Sequence, residues 1–196
     1  RIEHDDIRRH DITHPEPPWL IQNFLQERAI HVISSAKGCG KTWLGLTMFL
    51  AGRYGLPVLD EFSPTTKFDS IYIAADSPLW DIRRQLRKLL AGSSLSIEKS
   101  TSSFLAPLGL MLDNPTHMKV LAETVRAHNI RAIFFDVMLY VHGADENHDR
   151  EMSRVMSLAK YLRDNLGLAV VFLHHHAKGT GAARGADTIL QACEHH

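Results

Sequence analysis

The chain has 196 residues, 44% hydrophobic and 22% charged, with 22 Lys+Arg against 22 Asp+Glu, which leaves room for one well-buried domain and no overall positive field to gather nucleic acid. No apolar run approaches the roughly 18 residues that cross a bilayer, and two cysteines, Cys39 and Cys193, give no disulfide framework. The opening RIEHDDIRRHDITHPEPP is too charged for a secretory leader, so the expectation is a soluble, cytoplasmic protein without a membrane partner.

Residues 1–29 read as an N-terminal arm, and 30–196 as the main domain. PEPPW, from Pro15 to Trp19, is extended rather than helical because proline fixes φ and restricts the residue before it. LIQNFLQ then supplies a short apolar patch, and Trp19 is read as packing the arm onto the core rather than as a base-stacking residue.

From Ile30 to Leu50 the sequence IHVISSAKGCGKTWLGLTMFL passes from an apolar strand through a Gly-containing loop into a helix. Ser35, Ala36, Lys37, Gly38, Cys39, Gly40, Lys41 and Thr42 fit the P-loop pattern GxxxxGK[ST] at all defined positions except the first glycine. Such a loop aims backbone N–H groups and the positive end of a helix at a phosphate. Lys41 is placed for the β- and γ-phosphates of ATP, and the Thr42 hydroxyl for Mg²⁺, a cation that keeps most of its shell as water and phosphate oxygen.

Gly55 and Pro57 stop the helix, and SIYIAAD (70–76) is a buried strand ending in Asp76. SPLWDIRRQLRKLLAG follows as a helix, with Ser77 expected as cap and Pro78 at the first turn; its basic residues Arg83, Arg84, Arg87 and Lys88 read as a solvated face. One strand is expected near 103–105, a helix over 115–129, a strand IRAIFFD ending at Asp136, a helix over about 147–165 closed by Gly167, and a final strand LAVVFLHHH. Strands and helices alternate, which predicts an α/β fold with a mainly parallel sheet flanked by helices and its ligands at the strand carboxyl ends. Asp136, after the apolar IFF, has the form of the aspartate that holds Mg²⁺ through its water shell. The triple histidine 174–176 is a poor metal site, because successive strand residues face opposite ways.

The ordered set PPWL, the P-loop, YIAADSPLWDIRRQLRKLL, FFDVMLYVHGADENHDREM and VFLHHHAKGTGAARGA resembles the RepA-like branch of RecA-type hexameric helicases, over about 15–186. The discriminating pieces are His174, His175, Lys178 and Gly179, then Arg184-Gly185, and the acidic ADEN. The resemblance implies a RecA-like P-loop NTPase that binds ATP and Mg²⁺ at the interfaces of a homo-oligomeric, hexameric ring and moves along single-stranded DNA. It carries Lys41, Thr42 and Asp136 over directly, places His174 at the sensor position that touches the γ-phosphate, and makes Arg184 the basic residue offered to a neighbour's phosphate. A ring can concentrate a few basic residues in its channel, so a neutral chain is compatible with DNA.

Two departures qualify that resemblance. The family's second strand ends in Glu-Asp, the Glu activating water, where this chain has Ala75-Asp76. Either Asp76 takes that role, or Asp145 or Glu146 does, or hydrolysis is severely weakened. Ser35 in place of the first glycine is expected to crowd the turn. The resemblance leads one to expect closing strands and DNA-contacting segments after Arg184 in a complete domain, where this sequence ends at EHH (194–196), which fits either native sequence or a tag. Two other readings stay open: a nucleotide-binding regulator or assembly protein with weak or no hydrolysis, and a small-molecule P-loop kinase.

Overall fold

The computed structural model describes residues 16–91, 93–95, 104–106, 109–143 and 148–175. Residues Trp19–Ile21 (β1) and Leu25–Gln26 (β2) pair antiparallel as a small hairpin. The main sheet then unfolds in chain order: Ile30–Ser35 (β3), Lys41–Tyr54 (α1), Ser70–Ala74 (β4), Leu79–Leu89 (α2), Phe104–Ala106 (β5), Pro115–His128 (α3), Ala132–Asp136 (β6), Asp149–Leu166 (α4) and Ala169–His175 (β7).

Side-chain pattern and capping explain these boundaries. β6 and β4 are buried along their whole length, as strands covered on both faces must be. Asn114 caps α3 by accepting hydrogen bonds from the N–H groups of Thr116 and His117, with Pro115 at the first turn. Gly55 and Gly167 end α1 and α4 in the left-handed conformation. Ser77 does not cap α2: the cap position is Pro78, in extended backbone, with no side-chain cap bond. The N–H groups of Ala75 and Asp76 both bond the carbonyl of Asp136, so the chain stays laddered to β6 past the end of β4 and enters the helix one residue later than expected.

All pairings in the five-stranded sheet are parallel, in the order β3-β7-β6-β4-β5. Chain order and spatial order therefore differ at the place that matters: β7, last of the described strands, lies between β3 and β6. Alternate strand residues split the core into two layers. Ile71, Ile73, Ile133, Phe135, Val170 and Phe172 pack with α3 and α4. Tyr72, Ala74, Phe134, Val171 and Leu173 pack with α1, α2 and the hairpin residues Leu20, Ile21 and Leu25. Arg131, just before β6, grips Glu27 of the hairpin's exit with two bonds of 2.6 and 2.9 Å. Among the described residues no helix is long and apolar enough to cross a membrane.

Candidate functional site

The loop between β3 and α1 runs from Ala36 to Gly40 and makes its turn with two glycines. Gly38 and Gly40 have φ of +86° and +87°, a region other residues enter at a cost, and Gly40 is the residue from which α1 starts. Ser35, at the first-glycine position, does not crowd the turn. It is the last residue of β3 and lies outside the left-handed region, so the backbone there asks nothing that only glycine can give. Its carbonyl and hydroxyl instead accept from Lys41 Nζ at 2.7 and 3.0 Å, with the Ala36 carbonyl a third acceptor at 3.0 Å. Ala36, Lys37, Gly38 and Cys39 are exposed, while Lys41 is only 7% exposed. Burial pushes the Lys41 ammonium below its usual range, and Cys39 and Asp136 pull it back up.

Asp136, 3% exposed at the end of β6, faces this ammonium. Burial raises its carboxyl above the ordinary carboxylate range; hydrogen bonds from Tyr72 and Thr42 oppose that rise, Asp76 adds to it, and His175 opposes it. The Tyr72 hydroxyl donates to Oδ2 at 2.7 Å. Thr42 and Asp136 therefore meet, two oxygen donors of the hard kind Mg²⁺ prefers. Among the described residues no group of three or more His, Cys, Asp and Glu could hold a metal. The peptide bond after Asp136 is cis.

Register decides which histidine joins them. Leu173 is paired with Asp136, and Ser35 with His175. Paired residues in parallel strands point the same way, so His175, two beyond Leu173, lies on the face of Asp136, and His174 on the opposite face. His174 is 2% exposed. The half-buried His175 is lowered by burial first and by Lys41 next, while Asp76 and Asp136 act to raise it. Nothing among the described residues hydrogen-bonds its Nδ1. At the end of β4, Ala75 is 4% exposed and belongs to the α3/α4 layer, whereas Asp76 is exposed and interacts electrostatically with both Asp136 and His175.

A family model described as an AAA domain matches residues 1–181. The chain belongs to the AAA domain family. The solved structures contain a KaiC-like protein from the hyperthermophilic archaeon Pyrococcus horikoshii OT3, which superposes on this AAA domain with a TM-score of 0.59 and 15% identity over 91% of this chain and 74% of that one. That likeness shows the fold: an α/β P-loop NTPase of RecA type. The AAA domain is accordingly a nucleotide-binding ATPase domain.

The AAA domain thus brings Lys41, Thr42, Asp136 and Asp76 to one edge of its sheet and turns His174 away. Sequence reasoning used His175 only as part of the discriminating histidine string, with no role at the site, and passed over Tyr72. Both share the strand parity of Asp136, a signal that exists in the sequence but has meaning only once the register of β4, β6 and β7 is known. Arg184, Lys178, Asp145 and Glu146 lie outside the described residues.

Proposed function

We propose that this AAA domain is the ATP-hydrolysing, Mg²⁺-dependent motor of a replicative DNA helicase, assembling as a homo-oligomeric, hexameric ring on single-stranded DNA. The observation that carries the reading is the position of β7 between the P-loop strand β3 and the Asp136 strand β6. The His-His-x-x-Lys-Gly segment starts from the strand that, among the described residues, is flanked by both halves of the phosphate site. A segment anchored there can transmit the state of the nucleotide to whatever follows it in the chain.

The roles follow from the geometry. Backbone N–H groups of the loop from Ser35 to Thr42 receive the phosphates. Lys41 exchanges its three acceptors on Ser35 and Ala36 for phosphate oxygens, its charge favoured by the anion it binds. Thr42 and, through the metal's water shell, Asp136 would hold Mg²⁺, which would supply neutralisation of the charge developing on the phosphates. Asp76, exposed and on the same side, accepts a proton from the attacking water. His175 takes the sensor role beside Lys41 that the resemblance assigned to His174. Arg184 is offered by the adjoining subunit.

A steady-state assay tests this reading: ATP turnover, stimulated by single-stranded DNA, at protein concentrations that permit assembly. Lys41→Ala is expected to lower turnover by at least about 10²-fold. No turnover under any of these conditions overturns the motor reading. The alternative, a nucleotide-binding regulator, draws its support from Ala75, which is packed in the core where the family's Glu would stand. Tight ATP binding with hydrolysis no faster than in Asp136→Ala would favour it.

A further inference from the structure

We propose that Tyr72 is a positioning residue for the metal-shell carboxylate of Asp136, an inference that rests on the Mg²⁺ role given to Asp136 above. Tyr72 sits in the middle of β4, opposite Phe134, and is fully buried. Its ring is stacked with Phe134 and meets Phe49 edge-on, work that phenylalanine would do equally well. The hydroxyl has no such packing reason, and a buried hydroxyl is costly unless it is bonded. It donates to Oδ2 of Asp136 at 2.7 Å, diagonally two residues along the neighbouring strand.

Helix α1 makes room for this bond. A Cβ added at Gly45 would come within 3.2 Å of the Tyr72 hydroxyl and ring and 2.8 Å of Leu173, so the absent side chain lets α1 lie on β4 without displacing the phenol. The Asp136 carboxylate is then held from the sheet by Tyr72, while the Thr42 hydroxyl at the start of α1 helps to keep it charged. Tyr72 engages Oδ2 of that carboxylate. A donor behind a metal-shell carboxylate fixes its orientation, and loss of such a partner costs about 10- to 100-fold in metal affinity.

The experiment is calorimetric titration of a non-hydrolysable ATP analogue into wild type, Tyr72→Phe, Asp136→Asn and the double variant, each in Mg²⁺ and in EDTA, alongside thermal melts. In Tyr72→Phe the gain in affinity that Mg²⁺ confers falls about tenfold or more, the EDTA affinity is unchanged, and adding Tyr72→Phe to Asp136→Asn costs nothing further. A Tyr72→Phe chain that keeps the whole Mg²⁺ gain, or loses affinity equally in EDTA, overturns the proposal. If wild type shows no Mg²⁺ gain, the role assigned to Asp136 falls first and the proposal with it. A chain carrying a ¹³C label on the tyrosine rings gives a second measurement that needs no stable Tyr72→Phe: the Tyr72 resonance shifts when Mg²⁺ joins the bound analogue, and does not in Asp136→Asn. A Tyr72 signal indifferent to Mg²⁺ in wild type overturns it.

Discussion

Burial holds the Asp136 carboxyl above its ordinary range, and the Tyr72 and Thr42 hydroxyls only partly offset that. A raised carboxyl binds its proton more readily in the folded state. Its favourable contribution is complete below the ordinary value of 3.8 and is lost as pH rises through the raised value. Metal-free Asp136→Asn is therefore expected to be more stable than wild type at neutral pH. That advantage shrinks as pH falls toward 4; urea unfolding in EDTA across that range checks it. The two histidines separate by readout. His175→Ala is expected to lower ATP turnover about 10²-fold with little change in melting temperature, and His174→Ala to lower the melting temperature first, because its ring is buried on the other face of the sheet. Equal effects on turnover would remove the distinction drawn from register.

Helix α1 shows how an element can be set by what it lacks. Gly45 and Gly52 sit in a helix interior, where alanine is favoured by about 1 kcal/mol on propensity. Here propensity yields to contact. A Cβ at Gly45 meets Leu173 at 2.8 Å, and one at Gly52 meets the Phe68 ring at 2.5 Å. Gly45→Ala and Gly52→Ala are each expected to destabilise the domain by about 1–3 kcal/mol through forced displacement, measured by thermal or denaturant unfolding. Gly38 and Gly40 have nothing within 4 Å of an added Cβ; their constraint is the positive φ of the phosphate loop. The same residue type thus serves close packing in the helix and backbone shape in the loop.

Over the whole molecule, the sheet order gathers Lys41, Thr42, Asp76, Asp136 and His175 at the carboxyl ends of β3, β4, β6 and β7. The proposed ring adds a residue from outside the chain. Turnover per chain is therefore expected to rise with protein concentration, with a midpoint that matches assembly by sedimentation, and Arg184→Ala mixed into wild type is expected to lower turnover more than simple dilution does. Turnover independent of concentration, with the protein monomeric throughout, would contradict it.

The sequence by itself determined the P-loop, the alternation of strands and helices, most element boundaries and the acidic strand ends. These are written in local periodicity, in the Gly38-Gly40-Lys41-Thr42 run and in helix stops such as Gly55 and Gly167, all interactions between residues close in the chain. Tertiary structure alone decided that β7 inserts between β3 and β6, that His175 rather than His174 turns toward Lys41, that Ala75 enters the core while Asp76 stays outside, and that Tyr72 reaches Asp136. Each depends on register between strands remote in sequence, where a shift of one residue sends every side chain to the other face. Local pattern carries no information about that choice, because it is made by the packing of α1 and α2 on one side of the sheet and α3 and α4 on the other.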